Sequence, residues 1–359
     1  MATKIKAVLF EDTEQTQSEL VEALKKHLKT DGVVIPFGQF EESPEDERRM
    51  YEDRLESILS RALYDGATLL VVDRDLSKSK KFLGLSVNAV AGAAKRLAIP
   101  ICSYARQPDT EDYKWRARWE EEHIILSTEN DDELARQAVL AARGFAQIAA
   151  RLPGVMKDKA GKSPAKILAA LLAKPEYSDK IALYSVGDQN RLPEILAKAK
   201  DETDHIKRMG CFLGYWLWDS LLRYPGLLVN EVAAASHLNI ATVDFQKSEV
   251  QAIFEEALYD GPFANAKKPQ WWRGVLDDIV AGGNCNDGLE LVRRKLGDTI
   301  NPSQCWVDPS KPAGYYCIIS EKPVSLENSR GALSWFPRGA DLTRITTRLF
   351  EEYGPWIGA

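Results

Sequence analysis

Three acidic residues near the N-terminus have the types and the spacing that suit a divalent cation. Glu11 and Asp12 directly follow the apolar run Ile5–Phe10, and Asp73 directly follows a second apolar run, residues 68–72. Carboxylates held close together repel one another unless a cation neutralises them. Mg²⁺ accepts such ligands while keeping several waters, and an aspartate beside it can attack a phosphoryl donor. These residues therefore indicate formation of an aspartyl phosphate.

The carboxylates can meet only if the runs that precede them are neighbouring strands of one sheet. Five short apolar runs predict strands, at residues 5–10, 32–37, 68–72, 99–104 and 123–127. Helical periodicity predicts helices at residues 13–28, 50–66, 87–97, 109–122 and 131–152. This alternation requires right-handed crossovers and a parallel sheet covered on both faces. We therefore expect a doubly wound, flavodoxin-like α/β domain, in which the first and third strands are adjacent and present their carboxyl ends to a ligand.

The order of these motifs resembles that of a known signalling module. Val8–Asp12 ends in an acidic pair, and residues 71–77 (Val-Val-Asp-Arg-Asp-Leu-Ser) surround Asp73. Ser103 ends the fourth predicted strand, and an offset of one residue would put Tyr104 in its place. The segment of about residues 4–150 is similar to the receiver domain of two-component response regulators.

The resemblance implies a role for each of these residues. Glu11, Asp12 and Asp73 would bind Mg²⁺, and Asp73 would accept a phosphoryl group from a histidine kinase or a small phosphodonor. Ser103 would be the switch hydroxyl that senses the phosphoryl group. The protein would then be a response regulator, controlling an output domain through phosphorylation.

One departure from the family pattern leaves a second interpretation open. Receivers carry a lysine just after the fifth strand, whereas residues 127–130 here are Ser-Thr-Glu-Asn. Losing that cation weakens stabilisation of the phosphoryl charge. Lys78, Lys80 or Lys81 could substitute for it. Otherwise the domain is a pseudo-receiver that serves as a scaffold for protein–protein interaction.

The rest of the chain is predicted to form a separate output domain. The polar segment 153–164 contains glycine and proline and predicts a linker between a receiver-like domain, residues 1–152, and a mainly helical α+β domain, residues 165–359. Residues 229–243 have the spacing of a helix-turn-helix, which would suit a DNA-binding transcription regulator. The residues after 243 provide only one basic side chain, Lys247, for contacts with DNA phosphates. A buried alanine-rich helix pair is therefore the favoured interpretation.

A binding surface is predicted on the fourth helix of the first domain. Trp115 and Trp119 lie there beside Arg116 and Arg118, and both residue types are enriched in binding hot spots. We expect this face to contact a protein partner, the second domain or another copy of the chain.

Composition limits the remaining possibilities. The net charge of −6 gives no overall attraction for nucleic acid, and the five cysteines are too scattered for a disulfide framework. The sequence has neither an apolar run of membrane-spanning length nor a secretory signal at Met1, which predicts a cytoplasmic protein without membrane contact. No spacing indicates an enzymatic output domain, so we expect no catalysis beyond phosphorylation of the receiver itself.

Overall fold

The computed structural model describes residues 4–38, 51–76, 82, 84–105, 124–127, 130–157, 163–185 and 196–353. The chain divides into two compact units. The first contains Met1–Lys159 and Leu192–Tyr215, and the second contains Ala160–Arg191 and Trp216–Ala359. Within the described residues, none of the helices has both the length and the apolar character needed to cross a bilayer.

The first unit is built on a five-stranded, all-parallel sheet in the order β2-β1-β3-β4-β5. Its strands are β1 Ile5–Phe10, β2 Gly32–Pro36, β3 Leu69–Asp73, β4 Ile101–Ala105 and β5 Ile124–Ser127. Its described helices are α1 Glu14–Leu28, α2 Tyr51–Leu59, α3 Val87–Leu97, α4 Asp131–Met156 and most of α7 Glu202–Trp216. The order is that of flavodoxin-like folds, so the predicted fold class is confirmed for this part of the chain.

The sheet forms because its central strands are apolar on both faces. Val8, Phe10, Leu70 and Val72 are fully buried in a core cluster that also contains residues of α2 and α3. Alternate residues of the same strands, such as Leu9 and Val71, are equally buried on the opposite face. Phe10 is the register partner of Val72, so β1 and β3 end at the same level of the sheet.

The boundary between the units differs from the predicted one. The sequence prediction assigned everything after residue 164 to the second domain, whereas Leu192–Tyr215 belongs to the first unit. Helix α4 also continues to Met156, through Pro153, so that it includes the first residues of the predicted linker. Within the first unit, the Arg208 guanidinium of α7 donates a hydrogen bond to the Arg96 carbonyl oxygen at 2.7 Å. Arg208 thereby satisfies a carbonyl group in the last turn of α3.

The described part of the second unit is mixed α and β. Its helices are α5 Pro164–Leu171, α6 Ser178–Ala182, α8 Glu231–His237, α9 Thr242–Phe245, α10 Ser248–Ile253, α11 Arg273–Gly282, α12 Gly288–Leu296 and α13 Thr347–Tyr353. Its strands are β6 Leu228–Asn230, β7 Gln270–Trp272, β8 Tyr315–Cys317, β9 Lys322–Val324, β10 Ser329–Arg330 and β11 Thr343–Thr346. The last four form one sheet in the order β10-β11-β8-β9, and β6 pairs with β7.

A buried tyrosine joins several segments of the second unit. The Tyr184 side chain is fully buried, and its hydroxyl accepts a hydrogen bond from the Leu227 N–H at 2.7 Å. Its carbonyl oxygen accepts hydrogen bonds from the Trp216 indole at 3.0 Å and the Ser220 hydroxyl at 2.9 Å. Burial raises the pKa of the Tyr184 phenol, so the group stays neutral and able to donate. Tyr184 therefore has a structural role.

Candidate metal centre

The three acidic residues identified in the sequence converge at the carboxyl edge of the sheet. Each of Glu11, Asp12 and Asp73 offers one carboxylate oxygen, and these three atoms lie within 4.8 Å of one another. The register explains the convergence, because Phe10 and Val72 are paired and the acids directly follow them. Glu11 and Asp12 are only 1% and 4% exposed, whereas Asp73 is half-buried. Asp73 is therefore the most accessible of the three.

Short-range hydrogen bonds orient the three carboxylates. The Thr13 N–H donates to Oε1 of Glu11 at 3.0 Å, and the Thr13 hydroxyl donates to Oδ1 of Asp12 at 3.2 Å. The Asp75 N–H donates to Oδ1 of Asp73 at 3.1 Å. Thr13 is the residue before α1, where a side chain often caps the helix, but its hydroxyl makes no cap hydrogen bond. Thr13 therefore makes hydrogen bonds to the acidic cluster instead of capping α1 with its side chain.

The donor set fits a hard divalent cation. All three candidate ligands are carboxylate oxygens, the class of donor that Mg²⁺ prefers, and Mg²⁺ is usually held by only one or two carboxylates together with waters and phosphate oxygens. The half-buried Asp73 leaves one side of the cluster accessible to a small ligand. Glu11, Asp12 and Asp73 are thus the residues that could hold the cation.

The predicted switch residue Ser103 and its neighbour Tyr104 lie on opposite faces of β4. Ser103 is fully buried and is the register partner of Val72, which faces the core cluster beneath α2 and α3. Tyr104 is the register partner of Asp73, and its hydroxyl donates a hydrogen bond to Oε2 of Glu11 at 2.8 Å. Side chains alternate between the two faces of a strand, so a shift of one position determines which hydroxyl faces the acids. Tyr104, the alternative that a one-residue offset of the motif indicates, is therefore the residue whose hydroxyl bonds an acid of the cluster, and the switch role of Ser103 stays a prediction.

Several residues named in the sequence analysis lie outside the described residues. Lys78, Lys80 and Lys81, which could replace the missing lysine, belong to this group. So do Trp115 and Trp119, together with Arg116 and Arg118. The predicted binding surface on the fourth helix stays a prediction.

The helix-turn-helix segment lacks the predicted recognition helix. Helix α9 has only 4 residues, whereas a recognition helix must reach base edges over several turns. Its Asp244 is buried and accepts hydrogen bonds from the backbone N–H and the side-chain amide of Asn301, at 2.8 Å and 3.0 Å. Ala233, Ala234 and Ala235 of α8 are buried as well. The segment matches the buried helix pair that the sequence analysis favoured.

Asp244 is held in its charged form. Burial raises the pKa of this carboxyl, but the hydrogen bonds from Lys247 and Asn301 outweigh burial, and the net pKa is lowered. The carboxylate therefore stabilises the second unit as an anion, paired with the Lys247 ammonium at 2.7 Å.

Comparison with known proteins assigns no family to the chain. No family model, curated protein or solved structure matches it.

Proposed function

We propose that the first unit is a cation-dependent, receiver-like signalling module in which Asp73 is the phosphoacceptor. A histidine kinase or a small phosphodonor would supply the phosphoryl group, and the second unit would be the output. The observation that carries the proposal is the convergence of Glu11, Asp12 and Asp73 at the carboxyl ends of β1 and β3, with the three ligand atoms within 4.8 Å.

Differences in burial assign one role to Glu11 and Asp12 and another to Asp73. Glu11 and Asp12 are buried and hydrogen-bonded to Thr13, so they suit a fixed ligand role. Asp73 is half-buried, so a donor can approach it. One Asp73 oxygen attacks phosphorus as the bond from phosphorus to the leaving atom breaks, and the electron pair stays on the departing nitrogen or oxygen. A bound Mg²⁺ would neutralise charge on the phosphoryl oxygens.

A second candidate is a pseudo-receiver that binds a cation or a protein partner without being phosphorylated. Residues 127–130 contain no lysine to pair with a phosphoryl group, which favours this candidate. The two functions share the acidic cluster and differ only in whether Asp73 reacts.

Phosphorylation of the whole chain by acetyl phosphate distinguishes the two candidates. We expect intact-mass spectra to show the gain of one phosphoryl group with Mg²⁺ and none with excess EDTA. Asp73→Asn should abolish the gain. Asp75→Asn is the matched control, because Asp75 is exposed and the substitution keeps the backbone N–H that donates to Asp73.

Mg²⁺ titration of the unmodified protein, followed by tryptophan fluorescence or calorimetry, completes the test. Mg²⁺ binding without mass gain would favour the pseudo-receiver over the phosphoacceptor. Absence of Mg²⁺ binding would overturn the cation site and with it the proposed function.

A further inference from the structure

A tyrosine of β4 is hydrogen-bonded to one carboxylate of the acidic cluster. The Tyr104 hydroxyl donates to Oε2 of Glu11 at 2.8 Å, and the hydrogen bond is buried. Tyr104 is among the largest fully buried side chains of the protein. Its backbone position is fixed as well, because its carbonyl oxygen accepts a hydrogen bond from the Arg74 N–H at 3.0 Å.

Two donors hold Glu11 from opposite sides of its carboxylate. The Thr13 N–H bonds Oε1, and the Tyr104 hydroxyl bonds Oε2. One hydrogen bond alone leaves the carboxylate free to turn about its last side-chain bond, whereas two bonds to different oxygens fix its plane. Each carboxylate oxygen has two lone pairs, so one hydrogen bond does not by itself exhaust the acceptor capacity of an oxygen.

We infer that Tyr104 is a positioning residue that orients Glu11 for the divalent cation, an inference that rests on the proposed function. Hydrogen bonds to a carboxylate are stronger than those between neutral groups, and this one forms away from water. A buried carboxylate that is already oriented needs no rearrangement to bind the cation. Tyr104 thereby links the cation site to β4, since it is also the register partner of Asp73.

Mg²⁺ titration of Tyr104→Phe tests the inference, because this change removes only the hydroxyl. We expect the variant to bind Mg²⁺ about tenfold more weakly than the parent, as expected for loss of one hydrogen bond to a charged group. Ser103→Ala is the matched control, and it should leave the affinity unchanged because Ser103 faces the opposite side of the sheet. Circular dichroism verifies that each variant is folded.

A double-mutant cycle shows whether Tyr104 acts through Glu11. Glu11→Gln and the double variant Glu11→Gln/Tyr104→Phe should bind Mg²⁺ equally, because the carboxylate that Tyr104 orients is gone in both. Additive losses would overturn the inference, as would equal or tighter binding by Tyr104→Phe alone, and both results would leave the proposed function standing. No Mg²⁺ binding by the parent would overturn both proposals.

Discussion

The Tyr215 hydroxyl accepts a hydrogen bond from the Ile101 N–H at 2.8 Å, although the two residues are 114 positions apart in sequence. Tyr215 lies near the end of α7, and Ile101 begins β4. The Tyr215 ring also packs edge-on against Phe145 of α4, with ring centroids 5.3 Å apart. Helix α7 is thereby attached to both the sheet and a helix of the first unit.

We expect Tyr215→Phe to destabilise the first unit. The substitution keeps the ring that packs on Phe145 and removes the hydroxyl that bonds Ile101. The hydroxyl also donates to the Ile101 carbonyl oxygen at 3.4 Å, so two hydrogen bonds are lost and the free energy of unfolding should fall by about 1 to 2 kcal/mol. Urea denaturation followed by circular dichroism measures the change, and an unchanged midpoint would show that the two bonds contribute nothing.

A second prediction concerns the acid stability of the ion pair between Asp204 and Arg208. Burial raises the pKa of Asp204, but hydrogen bonds from the Lys200 N–H and the Arg208 guanidinium outweigh it, and the net pKa is lowered. A lowered pKa in the folded state means that the contribution to stability is present above the unfolded value, about 4, and is lost as the pH falls through the folded pKa.

Asp204→Asn should therefore be less stable than the parent at pH 7, and the difference should shrink as the pH falls below about 4. Urea unfolding of both proteins at several pH values measures this. Arg208 is only 7% exposed and also bonds the end of α3, so its own replacement would disturb more than the ion pair. A difference in unfolding free energy that stays constant down to pH 3 would contradict the assigned role of Asp204.

Asp244→Ala should destabilise the second unit by about 2 kcal/mol, because it removes the buried carboxylate that accepts two hydrogen bonds from Asn301 and pairs with Lys247. The matched control is Val243→Ala, since Val243 lies next to Asp244 in α9 but is 70% exposed. Thermal unfolding compares the two variants with the parent. Equal effects of the two substitutions would mean that the hydrogen bonds between Asp244 and Asn301 do not stabilise the unit.

The sequence was most informative where the strands are buried on both faces. Such strands are continuous apolar runs, and Ile5–Phe10 was predicted with the bounds that the structure gives it. The acids that end β1 and β3 were therefore correctly expected to lie close together. At β4, the predicted strand ended at Tyr104 and the observed strand ends at Ala105. Successive residues of a strand face opposite sides of the sheet, so a shift of one residue changes which side chain faces the acids. The sequence alone therefore could not decide between Ser103 and Tyr104.

Long-range packing explains the features that the sequence analysis missed. The apolar positions of α7 predict a helix, but they do not specify which core it joins, and its partners in α3, β4 and α4 are all distant in sequence. Residues 229–243 have the spacing of a helix-turn-helix. Asp244, which follows them directly, accepts a hydrogen bond from the backbone N–H of Asn301, 57 positions later in the sequence. A local sequence pattern contains no information about a partner that far away in the sequence.

The alternation of the chain between the two units affects how the protein folds during synthesis. The first unit includes Leu192–Tyr215, so its last helix leaves the ribosome only after Ala160–Arg191 of the second unit. Domains generally fold as units and in the order in which they are translated. Here the first unit is not fully synthesised until part of the second unit is already outside the ribosome, so its last helix can join it only after that segment has emerged.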